Sequence, residues 1–286
     1  MTLTGKARIA GVIGWPVSHS RSPALHGYWL GQYNIDGAVL PLAVAPEDLS
    51  LALKALPKMG FVGACVTLPH KQQTLTLMDD VDPAAQTIGA VNTIVVGNDG
   101  RLIGSNTDGF GFIENLRQSI PAWDPEGGSA VVLGAGGAAR AVIHGLAAAG
   151  TGKICLVNRT ESNARKVVED LGDNIKAKIQ VVPWSERSNE LEDATLLVNT
   201  TSLGMQGQPA LEISLARLGP NAIVSDIVYT PLETDLLAQA KQRGHPIVDG
   251  LGMLIHQARP GFKAWFGRDP EVTEGLRKFL IADLME

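Results

Sequence analysis

Three groups of residues in this 286-residue chain have types and spacings suited to chemistry. The first is a glycine turn. Val131-Val132-Leu133 runs into Gly134-Ala135-Gly136-Gly137-Ala138-Ala139 and then into a helix-forming stretch. In this G-x-G-x-x-A pattern the first glycine permits a tight turn. The second lets a pyrophosphate approach the backbone, and the small Ala139 lets helix pack close on strand. The helix N-terminus adds free N–H groups and the positive end of its dipole. A purely structural turn is the plain alternative, but the strand–turn–helix context favours a dinucleotide site.

The second group reports on the cofactor. At the end of the next strand, a site for NAD usually has Asp or Glu to accept from the ribose 2′-hydroxyl. This chain has Asn158-Arg159-Thr160 there. Arg159 can face a 2′-phosphate, and Asn158 and Thr160 can hydrogen-bond it. Arg165 and Lys166 are expected to add positive charge. Arg159 alone would read as a solvated cation; with the glycine turn upstream, NADP is favoured.

The third group lies in the N-terminal half. Ser20 and Ser22, in His19-Ser20-Arg21-Ser22-Pro23, supply two hydroxyls beside a helix start, which could hold a carboxylate. A simple N-cap accounts for one serine but not both. Lys71, in Thr67-Leu68-Pro69-His70-Lys71, reads as a solvated cation or, if partly desolvated, as an acid/base. Asn92 and Asp108 stand next to turns, where ordinary capping also places such residues. Cys65 and Cys155 form no zinc pair, and the six His show no metal-binding spacing, so no metal is expected.

The elements that must position these residues alternate. Strands are predicted at Ile9–Trp15, Val39–Val44, Phe61–Val66, Val91–Val96 and Arg101–Ile103, the last two as a hairpin across Asn98-Asp99-Gly100. Helices are predicted at Pro23–Tyr33 with Ser22 as N-cap, at Pro46–Met59, and near Lys71–Met78 and Pro83–Ile88. From about residue 109 a second series begins, with strands at Ala130–Leu133, Lys153–Val157, Ile179–Val182, Thr195–Val198, Ala222–Ser225 and Pro246–Val248. Six short strands with helices between them predict a doubly wound parallel sheet. Two helical stretches, Leu251–Phe266 and Pro270–Met285, end the chain.

Composition excludes several classes. Apolar residues at 45% and charged residues at 19% are ordinary for a globular chain. A net charge of −5 argues against a nucleic-acid partner. The apolar stretch 129–150 contains Arg140, His144 and a glycine cluster, so it reads as strand, turn and helix rather than a membrane span. The N-terminus has no apolar run of signal-peptide length, and two isolated cysteines suit a reducing cytoplasm.

Taken together, the motifs resemble one family, the shikimate dehydrogenases, over nearly the whole chain. The resemblance rests on VIGWPVSHSRSP (12–23), VTLPHK (66–71), GAVNT (89–93), NTDG (106–109), GAGGAARA (134–141), NRT (158–160), NTTSLGM (199–205), DIVYTPLET (226–234) and GLGMLIHQ (250–257). It implies an α/β fold in two domains. A substrate-binding domain would span 1–108 and 250–286, with the C-terminal helices returning to it, and a Rossmann NADP-binding domain would span 109–249. It implies that Lys71 and Asp108 are the catalytic pair. Ser20 and Ser22 would bind the substrate carboxylate, Thr67, Asn92 and Gln257 the ring hydroxyls, with Tyr229 near the substrate. Gly134, Ala135, Gly136, Gly137, Ala138, Asn158, Arg159, Thr160, Thr200 and Gly250 would bind the cofactor. The implied reaction is reversible reduction of 3-dehydroshikimate to shikimate by NADPH, in aromatic amino-acid biosynthesis, in the cytoplasm. A homodimer stays open. The alternatives are a quinate or aminoshikimate dehydrogenase of the same family, or a non-catalytic NADP-responsive binding protein, against which Lys71 and Asp108 argue.

Four positions depart from the family pattern. Cys65 replaces an Asn two positions before the motif threonine. Ser162 and Asn163 stand where many relatives have a basic residue. Phe266 replaces a Thr after the late Trp. Cys65 is expected either to weaken a substrate contact or to be a small buried hydrophobe.

Overall fold

The computed structural model describes residues 3–284, the side chain of Asp173 excepted. Contacts divide the chain into two compact units, one of residues 1–107 and 257–286 and one of residues 108–256. Met285, the expected end of the last helix, and the outermost residues of the expected domain ranges lie outside the described residues.

In the first unit, β1 (Arg8–Gly14) leads through a loop to α1 (Ser22–Gln32), then β2 (Gly37–Ala43), α2 (Leu49–Ala55), β3 (Phe61–Val66), α3 (Lys71–Leu75), β4 (Asp80–Val81), α4 (Pro83–Ile88), β5 (Thr93–Val96) and β6 (Leu102–Ser105). The sheet order is β2-β1-β3-β5-β6-β4. β1 is parallel to β2 and β3, and β5 runs antiparallel between β3 and β6. The hairpin read from Asn98-Asp99-Gly100 is thus present, with Gly100 at a φ of 81°. The two-residue β4 has too little pattern to be read from sequence.

Three sequence expectations change here. The N-cap of α1 is Arg21, not Ser22: Arg21 already has helical φ and ψ, and Ser22 is the first helical residue. The expected helix 46–59 is three pieces, because Pro46 and Pro57 each open a separate 3₁₀ turn around α2. The last helix starts at Glu274 rather than Pro270. Phe266 is buried, with its ring centroid 4.9 Å from that of Phe262.

The second unit contains α5 (Asp108–Ser119), β7 (Ser129–Leu133), α6 (Gly137–Ala148), β8 (Lys153–Asn158), α7 (Glu161–Leu171), β9 (Lys178–Pro183), β10 (Leu196–Asn199), β11 (Ile223–Asp226), α8 (Asp235–Gln242) and β12 (Ile247–Val248). α9 (Gly250–Phe266) begins in it and ends in the first unit, which α10 (Glu274–Leu284) completes. Every strand pair of this second sheet is parallel. Its order, β12-β11-β10-β7-β8-β9, is the doubly wound order that reverses at the first strand.

The central strands are apolar on both faces because both faces are covered. Pleating sends Ala130 and Val132 of β7, Ile154 and Leu156 of β8, and Leu196 and Val198 of β10 into one apolar cluster. Val131, Leu133, Cys155, Val157 and Leu197, at the alternate positions, enter the other. At 25 °C each fully buried side chain of this size contributes about 1.5–3 kcal/mol, so the strand ends are firmly placed for the loops they carry.

Candidate functional site

In the second unit, the turn after β7 is the best-defined feature. Gly134 has a φ of 109°, in the left-handed region, and a Cβ there would lie 2.7 Å from Thr200 Oγ1. A side chain is excluded twice over, by backbone conformation and by space. The Gly134 amide donates to Val157 O at 2.8 Å, and the Thr200 hydroxyl donates to Leu133 O at 2.6 Å. A Cβ on Gly136 or Gly137 would meet nothing within 4 Å, so the space above the first turn of α6 is open. Open space, a helix start and free backbone N–H groups are what a pyrophosphate needs.

A depression of about 250 Å³ adjoins this turn. Gly134, Ala135, Gly136, Asn158, Arg159 and Thr200, six of the residues that the resemblance implies for the cofactor, line it. Gly137 and Ala138 form the first turn of α6 beside it. Thr160 caps α7 through its backbone, and its carbonyl accepts from Asn158 Nδ2 at 2.8 Å. Gly250 lies elsewhere: it opens α9 outside the depression, where a Cβ would be 2.1 Å from Ile227 O. Sequence reasoning missed Trp184, Thr201, Ser202 and Leu203, which also line it.

The cations around this depression divide sharply. Arg165 donates to Glu161 at 2.9 Å through Nε, and Lys166 reaches Asp170 at 3.5 Å. Arg140 also holds Asp170, whose carboxyl its hydrogen bond keeps below the ordinary carboxylate value. The positive charge expected from Arg165 and Lys166 is therefore neutralised along α7. Arg159 is exposed and makes no hydrogen bond or ion pair among the described residues. It is the cation available to an incoming anion.

Behind the depression, β10 and β11 end in a buried polar knot. Asn199 Nδ2 donates to Asp226 Oδ1 at 3.0 Å and to Leu203 O at 3.1 Å. Asp226 also accepts from the Val228 amide at 3.0 Å and the Thr234 hydroxyl at 2.7 Å. Burial pushes the Asp226 carboxyl above its ordinary value, against the pull of these donors. Asp108 opens α5, which lies close on α6: a Cβ on Gly109 would be 2.6 Å from Ala141 O, and one on Gly145 2.9 Å from Gly109 O. Tyr229 follows β11, half-buried.

In the first unit, Ser22 is buried and its amide donates to Ser20 Oγ at 3.4 Å. Arg21, between them, turns away to Asp283 at 2.8 Å. Thr67 and Lys71 flank a cis Leu68–Pro69 bond. The Thr67 amide donates to Ile13 O at 2.9 Å. Lys71 is held through its neighbours: His70 Nε2 donates to Val44 O at 2.8 Å, and the Val91 amide donates to Lys71 O at 2.9 Å. Asn92 is buried. Its Oδ1 accepts from the Thr107 amide at 2.9 Å and the Thr93 hydroxyl at 3.0 Å, and its Nδ2 faces Gln257 Oε1 at 3.4 Å. The Thr107 hydroxyl donates to Gln257 O at 2.7 Å. Asn92 and Gln257, 165 positions apart, are thus brought together.

Known proteins settle the family. Its models match in three segments: the shikimate dehydrogenase substrate binding domain at residues 12–94, shikimate / quinate 5-dehydrogenase at 117–205, and the shikimate 5′-dehydrogenase C-terminal domain at 250–276. "Shikimate dehydrogenase (NADP(+))" of Paramagnetospirillum magneticum is 59% identical over 98% of this chain and 100% of its own. The chain belongs to the shikimate dehydrogenase family. Among solved structures, shikimate 5-dehydrogenase of Thermus thermophilus in complex with NADP(H) and shikimate is 35% identical, with a TM-score of 0.84 over 96% of this chain and 99% of that one. The Listeria monocytogenes enzyme in complex with shikimate and NAD is 31% identical, with a TM-score of 0.90 over 98% of each.

Among the described residues, no group of three or more His, Cys, Asp or Glu is placed to hold a metal ion. No helix among them is long and apolar enough to cross a membrane.

Proposed function

We propose that this member of the shikimate dehydrogenase family catalyses the reversible, NADPH-dependent reduction of 3-dehydroshikimate to shikimate, a step of aromatic biosynthesis. The observation that carries the cofactor choice is Arg159, an unpaired cation at the end of β8, where a site for NAD has an acid. Relatives named for NADP, at 59% identity over nearly the full chain, support the same reading.

Each residue's role follows from its chemistry. The glycine turn and the first turn of α6 bind the pyrophosphate, and Arg159, with Asn158, binds the 2′-phosphate. NADPH, when bound, supplies the hydride that reduces the ketone carbon. Lys71 delivers the proton to the ketone oxygen and stabilises negative charge developing there; in the reverse direction it takes the hydroxyl proton. Asp108 orients that exchange as the carboxylate partner of the reacting hydroxyl. Ser20 and Ser22 hold the substrate carboxylate. Thr67, Asn92 and Gln257 hold the ring hydroxyls, and Asn92, its oxygen saturated by two donors, presents its amide N–H as donor. Ser20, Ser22, Thr67, Lys71, Asn92 and Gln257 lie in the first unit, and Asp108, Tyr229 and the nucleotide residues lie in the second. We place Tyr229 near the substrate and the protein in the cytoplasm.

The test is absorbance at 340 nm with shikimate or quinate, each with NADP or NAD. Turnover of shikimate with NADP above the other three combinations is expected. Faster turnover of quinate, or a preference for NAD, would sink the assignment.

A further inference from the structure

The nucleotide site described above accounts for the pyrophosphate and the ribose 2′-phosphate but gives the adenine no seat. We propose that the indole of Trp184 receives the adenine ring of NADPH, with Arg187 fixing the indole from behind. This rests on the NADP reading of the same depression.

Sheet order places the base. The pyrophosphate belongs over the turn after β7, and the 2′-phosphate over the end of β8. The nucleotide therefore runs outward across the sheet, and the next strand is β9. In the β8–β9 register Asn158 is paired with Pro183, so Trp184 is the first residue beyond that pair. Trp184 lines the same depression as Gly134 and Arg159. Its ring is half-buried and packs against the apolar cluster on one side of the sheet.

Arg187 explains why the ring is ready for a ligand. Its guanidinium carbon lies 4.8 Å from the Trp184 ring centroid. Its Nη1 donates to Trp184 O at 2.8 Å and its Nε to Glu212 O at 2.8 Å. Arg187 does not line the depression, and these donors are spent on carbonyls, so it serves the ring rather than a phosphate. A cation on one face of an indole holds its orientation, and the ring borders the depression where a ligand would meet it. A flat aromatic base stacks on such a face whatever its sequence of donors and acceptors.

The experiment uses the full chain with Trp184→Leu, Trp184→Phe and Arg187→Gln. The ligand is 2′,5′-ADP, which has the adenine and the 2′-phosphate but no nicotinamide. Trp184→Leu should weaken its binding by about tenfold or more, and Trp184→Phe by no more than about threefold, because Leu keeps bulk while Phe keeps a stacking face. The KM for NADPH should rise in parallel with kcat unchanged, as for a contact equal in ground and transition states. Arg187→Gln should give a smaller loss with the same split between KM and kcat. Binding of 2′,5′-ADP should quench tryptophan emission in the parent and not in Trp184→Phe. Turnover with reduced nicotinamide mononucleotide, which lacks adenine, should be unchanged in every variant. Unaltered 2′,5′-ADP binding in Trp184→Leu overturns the proposal. So does an equal loss with the mononucleotide, which would make Trp184 a structural residue. Failure of the parent itself to bind 2′,5′-ADP would overturn the NADP reading and this inference with it.

Discussion

The Cys65 thiol lies 3.7 Å from Nε2 of His26, in the buried interior of the first unit. The His26 ring is enclosed by Trp29, Phe262 and Trp265, at centroid distances of 5.8, 5.9 and 5.5 Å. His26 is on α1, four residues after Ser22, and Cys65 is on β3, two residues before Thr67. The contact therefore ties together the two elements that carry proposed substrate groups. It also bears on the departure from the family's asparagine, since a thiol turned toward this aromatic cage supports the packing reading of Cys65.

Cys65→Asn is accordingly expected to leave the KM for shikimate unchanged and to lower stability. An amide has more hydrogen-bonding atoms than His26 Nε2 can satisfy, and burying an unpaired one costs about 1–3 kcal/mol. Steady-state kinetics and a urea melt measure both. A severalfold fall in KM would return position 65 to the substrate contacts.

Burial of His26 is expected to make the first unit acid-sensitive. Burial pushes its pKa down from 6.5 to about 3, and its Nδ1 has no hydrogen-bond partner. The unfolded chain takes up the proton near 6.5, whereas the folded chain resists it until about 3. Stability is therefore complete above pH 6.5 and is lost progressively as pH falls below it. The loss should reach about 2 kcal/mol at pH 5. His26→Leu removes the titration and the orphaned nitrogen together. Its melting temperature should match or exceed the parent's at pH 7, with a flatter decline between pH 6.5 and 5. An unchanged acid limb would assign the sensitivity to other groups.

Lys71→Ala should lower kcat by about 10²–10⁴-fold, the usual contribution of a general acid–base group, while NADPH titration is unaffected. Lys71 meets this test through position as well as charge, since its carbonyl and its neighbour His70 are both bonded into the fold. Near-normal kcat in the variant would remove it from the chemistry.

Arg159→Ala and Arg165→Ala should differ. Losing a charge-assisted contact worth roughly 1.5–3 kcal/mol should weaken NADP about ten- to hundredfold in the first. NAD, which has no 2′-phosphate, should be weakened little. Arg165 is already paired with Glu161, so its removal should barely move either constant. Equal losses for both cofactors in Arg159→Ala would contradict a 2′-phosphate role.

What was legible in the sequence depended on range. The glycine turn and the β7-to-β12 pattern were legible because adjacent residues carry them. The neutralisation of Arg165 and Lys166 was also open to inspection: Glu161 and Asp170 stand four positions from them on one helix face, the spacing at which such pairs form. Trp184 was not legible. Nothing near it in sequence suggests a ligand, and only the pairing of β9 with β8 brings it beside Arg159. The same holds for His26 and Cys65, 39 positions apart, and for Asn92 and Gln257. The start of α1 was misplaced because Arg21 adopts helical angles one residue before the serine with the better capping chemistry.

The Asn199–Asp226 knot gives the last prediction. Asp226 is an acceptor surrounded by donors: the Val228 amide, the Thr234 hydroxyl and Asn199 Nδ2. Asn199 in turn accepts from the Thr201 amide at 3.0 Å and donates to Leu203 O, and Thr201 and Leu203 line the nucleotide depression. An ionised carboxylate accepts from all three donors at once, whereas an asparagine has one accepting oxygen and turns an N–H₂ toward a donor. Asp226→Asn should therefore leave a buried donor unpaired at a cost of about 1–3 kcal/mol and loosen residues 200–203. A lower melting temperature and a raised KM for NADPH are expected together, with shikimate KM unchanged. Asn199→Ala should give the same pair of effects. Because the two residues share one hydrogen bond, the double variant should cost less than the sum of the singles. Additive losses would show that the two side chains act independently, and a fall in stability without any change in NADPH KM would confine the knot to folding.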